Sequence, residues 1–163
     1  AGAAYVYSRV GGVWTFQQRL TASDGAASDN FGDGVSIDGD TIVVTAPSDD
    51  ITANTDQGSA YVFLRTGAAW AQQQKLTASN GAASDLLGRG GAVSISGDTI
   101  AIGSRNKASN AGRVYLYNRI ITTWTESTIL TSPDVGTDAT ARFGSAVSLS
   151  GDTLAVGALT SSI

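Results

Sequence analysis

The chain opens on alternation. Tyr5–Arg9 reads YVYSR, with large apolar side chains at every second position, the period of a strand half-buried on one face. Val13–Leu20, VWTFQQRL, is a second run of strand type, and its glutamines give it one polar face. VSIDG at Val35–Gly39 alternates again. TIVVTA at Thr41–Ala46 is almost continuously apolar, as expected of a strand covered on both faces. Turn signals separate the runs: VGG joins the first to the second, and DGD at Asp38–Asp40 joins the third to the fourth as a tight hairpin. No stretch carries the period and caps of a helix.

This four-run pattern recurs. AAYVYSR from Ala3, SAYVFLR from Ser59 and RVYLYNR from Arg113 correspond, and RLTASDGAASDNFG at Arg19–Gly32 returns as KLTASNGAASDLLG at Lys75–Gly88. Trp14, Trp70 and Trp124 fall 56 and 54 residues apart, and Phe31, Leu87 and Phe143 fall 56 apart. A fixed period of this length marks a repeat array or a propeller. Four strands per period, three times over, predict an all-β fold: β-propeller blades of four antiparallel strands, about three blade equivalents. We divide the single segment 1–163 into repeats at approximately 3–58, 59–112 and 113–163.

Loop lengths point to a face. The hairpins within each strand pair are short, whereas TASDGAASDN and PSDDITANTDQGS run to about ten residues each. Alternate connections of an up-and-down blade lie on opposite faces, so the long loops gather on one face, where binding usually resides. Their polar residues are the candidate ligand-binding set: Asp24, Asp29, Asn80 and Asp85 in the first type of loop, and Asp49, Asp50, Asn54 and Asp56 in the second. Asp49, Asp50 and Asp56 are the weak candidates for a metal, since the second loop holds the densest oxygen cluster in the chain. Turn-fixing hydrogen bonds explain Asp24, Asp29 and Asp85 better than a ligand does, a flexible acidic surface loop explains the second cluster as well as a metal does, and Asp40, Asp98 and Asp152 are read as turn holders. The repeated tryptophans fit packing between blades better than sugar stacking. The glutamine runs fit a solvated outer edge, which discourages edge-to-edge aggregation.

Composition narrows the chemistry. Of 163 residues, 42% are hydrophobic and 15% charged, a globular balance, and no apolar run approaches a transmembrane span. A net charge of −4 argues against nucleic acid, which wants a basic stripe. The absence of cysteine and histidine removes disulfides, thiolate zinc sites and the usual general base. Glu126 is the only glutamate, and no unique carboxylate pair breaks the repeat, so the chain is read as not an enzyme, without a cofactor. With no starting methionine, the mid-pattern start and abrupt end read as an excised piece of a longer chain. The alternative is a six-bladed ring closed by two chains.

FG…VSI…GDTIVVTAP followed by GSAYVF resembles the FG-GAP repeat of integrin-α-like β-propellers, closest to the bacterial secreted type. The resemblance covers essentially the whole chain. It implies a propeller, usually of about seven blades, on an extracellular or cell-surface protein that binds or adheres. It also implies that Phe31–Ile37, Leu87–Ile95 and Phe143–Leu149 are innermost, followed outward by the TIVV, AYVF and WTFQQ strands. The chain would then hold two complete blades between two half-blades. Many members carry a calcium loop, D-x-D-x-D-G-x-x-D, between the two inner strands. Here IDGDT, ISGDT and LSGDT supply too few oxygens for calcium. The expected role is a non-catalytic extracellular binding or adhesion module whose long-loop face takes a protein or glycan ligand, with no nucleic acid and no membrane insertion. The alternatives are a structural block of a surface layer, sheath or fibre, and a calcium-dependent adhesin.

Overall fold

A computed structural model of the protein describes residues 1–134 and 140–160; part of the long loop and the tail of the third repeat lie outside the described residues. Its strands are Ala4–Val10 (β1), Val13–Leu20 (β2), Val35–Asp38 (β3), Thr41–Ala46 (β4), Ser59–Thr66 (β5), Ala69–Leu76 (β6), Val93–Ser96 (β7), Thr99–Ser104 (β8), Arg113–Ile120 (β9), Thr123–Leu130 (β10), Phe143–Ser150 (β11) and Thr153–Ala158 (β12). Two sheets are complete blades, ordered β3-β4-β5-β6 and β7-β8-β9-β10, and every pairing in them is antiparallel. The ends form two-stranded sheets: β1–β2 is the outer half of one blade and β11–β12 the inner half of another. One turn at Lys107–Asn110 has helical hydrogen bonding, but Ala108 and Ser109 take left-handed φ values of 55° and 58°, so it is a folded loop.

The apolar runs are buried because each blade is pressed between neighbours. Ala4, Val6 and Leu20 of the first half-blade meet Phe31, Ile42, Val44, Tyr61 and Phe63 of the first complete blade. On its other side, Val43, Ala60 and Val62 meet Val93, Ile95, Ile100, Ile102 and Tyr115 of the second. Alternate residues of β4 therefore serve two different cores, which is why TIVVTA carries no polar face. Full burial of a side chain such as Tyr61 or Ile100 contributes roughly 1.5–3 kcal/mol.

Polar side chains join the blades in repeated fashion. On the inner strands, the Ile95 N–H donates to Ser36 Oγ at 3.1 Å and the Gly97 N–H to Asp38 Oδ2 at 2.6 Å. One blade on, the Leu149 N–H donates to Ser94 Oγ and the Gly151 N–H to Ser96 Oγ. On the outer strands, Gln18 and Trp70 exchange two bonds at 2.8 Å, side chain to backbone, and the indole N–H of Trp70 donates to Gln17 Oε1 at 3.3 Å. Gln74, Gln73 and Trp124 repeat the clamp. Here the structure differs from the sequence expectation. The glutamines are interblade clamps rather than a solvated edge, because their partners lie about 50 residues away, on the next blade. Trp70 and Trp124 pack between blades, whereas Trp14, on the end half-blade, is 66% exposed.

Candidate functional site

The long loops do gather on one face. They are bonded to each other: the Ser48 N–H donates to the Asp29 carbonyl, and the N–H groups of Ser84, Leu86 and Leu87 donate to the carbonyls of Thr55, Asp56 and Gln57. Each TASxGAASD loop is folded by its own last aspartate. Asp29 Oδ2 accepts the Ala26 N–H, and Asp85 Oδ2 accepts the Ala82 N–H at 2.6 Å. In both loops the carboxylate closes the turn by bonding an N–H three residues before it, and both carboxylates are buried.

At the centre of the face sits Lys75, from the end of β6. Its ammonium lies 2.7 Å from Asp24 Oδ2 and 2.7 Å from Asp49 Oδ2. The Tyr61 hydroxyl lies 2.8 Å from Asp24 Oδ1 and 3.0 Å from Asp49 Oδ2, and Ser59 Oγ also donates to Asp49. Burial disfavours the Lys75 ammonium, yet Asp24 and Asp49 outweigh it and hold its pKa above the ordinary lysine value. Partial burial pushes the Asp24 carboxyl up, but the bonds from Lys75 and Tyr61 outweigh that and hold it below the usual carboxylate value. Burial, with Asp24 and Asp49 beside it, pushes the Tyr61 phenol up to about 12.

The next blade holds the equivalent loops with its base at a different position. In the aligned strands Lys107 stands where Asp49 does, Ile129 where Lys75 does, and Asn80 where Asp24 does. Lys107 Nζ lies 2.7 Å from Asp85 Oδ2 and donates to the Asn80 carbonyl, while the Tyr115 hydroxyl donates to Asn80 Oδ1 at 2.7 Å. The base has moved from the end of β6 to the loop after β8, and its acid is Asp85, which stands where Asp29 does.

Six of the eight candidates thus fix the loops: Asp24, Asp29, Asp49, Asp85, Asn80 and Asn54, whose amide donates to Gln57 Oε1 and the Gly81 carbonyl. Asp50 accepts the Asp56 N–H at 2.8 Å and is exposed, with Asp56 partly so. The three metal candidates do not converge. Asp49 is turned toward Lys75 and Asp50 toward the backbone of Asp56, and among the described residues no group of three or more acidic side chains could hold a metal ion. The inner hairpins do not fit the calcium loop either. Asp38 takes the Gly97 N–H, and Asp40 takes Arg65, whose Nε donates at 2.6 Å. Asp98 takes Arg119 in the same way at 2.7 Å. The carboxylates of these hairpin aspartates hold a neighbouring strand, a role legible only once β5, β7 and β9 are seen beside the hairpins.

The FG-GAP repeat family matches residues 14–63, 70–117 and 124–163. The chain belongs to that family. The three matched stretches begin at Trp14, Trp70 and Trp124, and the interblade clamp falls at the head of the second and third of them. A search of curated proteins finds no match to the chain. FG-GAP repeats are typical of extracellular proteins, and among the described residues no helix is long and apolar enough to cross a membrane.

Proposed function

We propose that this FG-GAP segment is a non-catalytic extracellular binding module whose long-loop face takes a protein or glycan ligand. The observation that carries this reading is the way the face is held. Loops of successive blades are bonded to one another, the Asp49–Lys75 pair pins one loop to β6, and the Asp85–Lys107 pair joins two more. A face fixed before contact avoids the ordering cost that mobile loops incur on binding. Its exposed groups, chiefly Asp50 with the rims of Asp56 and Asn80, are left to meet a partner. Glu126, the one glutamate of the chain, lies on β10 and accepts from the Ser79 N–H and hydroxyl.

The test is a glycan array together with a panel of immobilised surface proteins. Binding that falls in Asp50→Ala and Asp56→Ala, at unchanged melting temperature, is the expected result. Absence of any ligand, or binding indifferent to both changes, sinks the reading. A calcium-dependent adhesin has less support, because lysines already neutralise the buried carboxylates of Asp49 and Asp85. EDTA is expected to leave the melting temperature unchanged, and a fall of several degrees would restore that alternative.

A further inference from the structure

The two half-blades are complementary, and we propose that they join between copies: β12 of one chain adds to the free edge of β1 of a second, head to tail. Beside β1 lies a groove of about 560 Å³, lined by Ala4, Tyr5, Val6, Val35, Ile37 and Ile42. The complete blades show what belongs there. In both, the strand equivalent to β1 pairs with the strand equivalent to β12: Thr41↔Leu64, Val43↔Val62 and Ala46↔Ser59 in one, Thr99↔Asn118, Ala101↔Leu116 and Ser104↔Arg113 in the other. Carried over, the register is Thr153↔Ser8, Ala155↔Val6 and Gly157↔Ala4.

The side chains on both sides continue the interfaces already present. Val35 and Ile37 are each 59% exposed, whereas Val93 and Ile95, at the same positions one blade on, are 6% exposed beneath Val43. Ala155 holds the place of Val43. Tyr5 is 59% exposed, against 0% for its counterparts Tyr61 and Tyr115. In each complete blade an arginine of the third strand bonds the aspartate of the inner hairpin, Arg65 with Asp40 and Arg119 with Asp98, and its N–H donates to that aspartate's carbonyl. Arg9 and Asp152 are the corresponding pair, and they lie on opposite ends of this chain. Ser148 and Ser150 likewise stand where Ser36 and Asp38, and Ser94 and Ser96, accept N–H groups from the next inner strand.

One contact changes character on both sides at once. Gln72 bonds the N–H and hydroxyl of Ser23, and Glu126 bonds those of Ser79. At the proposed junction the corresponding residues are Phe16 and Pro133, neither able to make those bonds and both apolar. A polar pair has become an apolar one, as expected if repeat three is followed in space by repeat one. β1–β2 and β11–β12 form separate sheets within one chain, and in the proposed junction a second copy joins them. Two copies supply six blades, within the roughly four to eight of closed propellers, and two such junctions related by a two-fold axis close the ring.

The experiment is the solution mass of the 163-residue chain by light scattering, with folding followed by circular dichroism. The expected mass is two copies. Arg9→Asp, which sets two aspartates against each other, is expected to remove the two-copy species, and Arg9→Asp/Asp152→Arg to restore it. Ala155→Glu, at a position exposed in the single chain, is expected to remove it while leaving the circular dichroism unchanged. A folded wild-type chain of any other mass overturns the proposal, and so does a two-copy species that Arg9→Asp and Ala155→Glu leave intact. Either result would assign the β1 edge to a different occupant.

Discussion

Lys75 and Arg65 are both bases bonded to aspartate, and their surroundings set them apart. Lys75 meets a carboxylate, Asp49, whose side chain is 8% exposed, whereas the Arg65–Asp40 pair stands in solvent with the two side chains 41% and 60% exposed. Lys75→Met strands Asp49 in the interior with only Ser59 and Tyr61 beside it, and removal of one member of a buried pair costs roughly 3–5 kcal/mol. Because Lys75 itself is partly solvated, the expected loss falls below that range, at about 2–3 kcal/mol. Arg65→Ala is expected to cost less than about 1 kcal/mol. Urea unfolding of the two variants checks the contrast, and equal losses would mean that Asp49 is not held by Lys75. The same network sets an alkaline limit. Tyr61 has its pKa raised from 10.0 to about 12, so the folded chain keeps a proton that the unfolded chain releases. Its contribution is fully present below pH 10 and is lost as pH rises from about 10 to about 12. Burial pushes Tyr115 and Tyr117 up as well, which steepens the decline. The urea midpoint measured against pH should fall across that window, and less steeply in Tyr61→Phe.

The strands themselves were legible because period-two alternation, continuous apolar runs and DGD turns are local signals, each contained in fewer than about ten residues. What joins the strands into blades and the blades to each other was not local. Gln18 reads as a polar residue facing solvent until Trp70, 52 residues on, is placed beside it. Asp49 reads as a ligand until Lys75 arrives from the end of another strand. The exchange of Asp49 and Lys75 for Lys107 and Ile129 did leave a trace, since the two positions change together between repeats, but only the fold shows that they touch. Glycine in the FG motif is another case where element and neighbour act together. Gly88 has φ of +81°, and an added Cβ would fall 2.4 Å from the Thr45 side chain, inside the blade contact. Gly97, in a hairpin turn at φ of +56°, has nothing within 4 Å. Gly97→Ala should cost about 1 kcal/mol, from backbone strain alone. Gly88→Ala combines that strain with overpacking and should cost about 3 kcal/mol or more. Denaturant midpoints of the two variants test this. Similar losses would mean that the tight approach at Thr45 relaxes freely.

At the scale of the whole molecule, stability is graded from the centre outward, as in other arrays whose units contact only their neighbours. The strands β4, β5, β8 and β9 have partners on both edges, and β4 and β5 also have cores on both faces, so the amides of these four should open only with global unfolding. β1 and β12 each have one free edge and belong to two-stranded sheets, which are marginal by themselves. Their amides should therefore exchange fastest among the strands in dilute solution. Dilution is the variable that decides what those edges are for. If β12 of a second copy adds to β1, raising the protein concentration converts two free edges into one ladder, and protection in β1 and β12 rises together while that in β4 and β8 stays constant. Hydrogen exchange read by mass spectrometry at several concentrations makes the comparison within one sample series. Protection in β1 and β12 that ignores concentration would leave both half-blades as edges without a partner in this chain. The binding reading, which rests on the loop face, would stand untouched by that result, because its pinned loops lie on the complete blades.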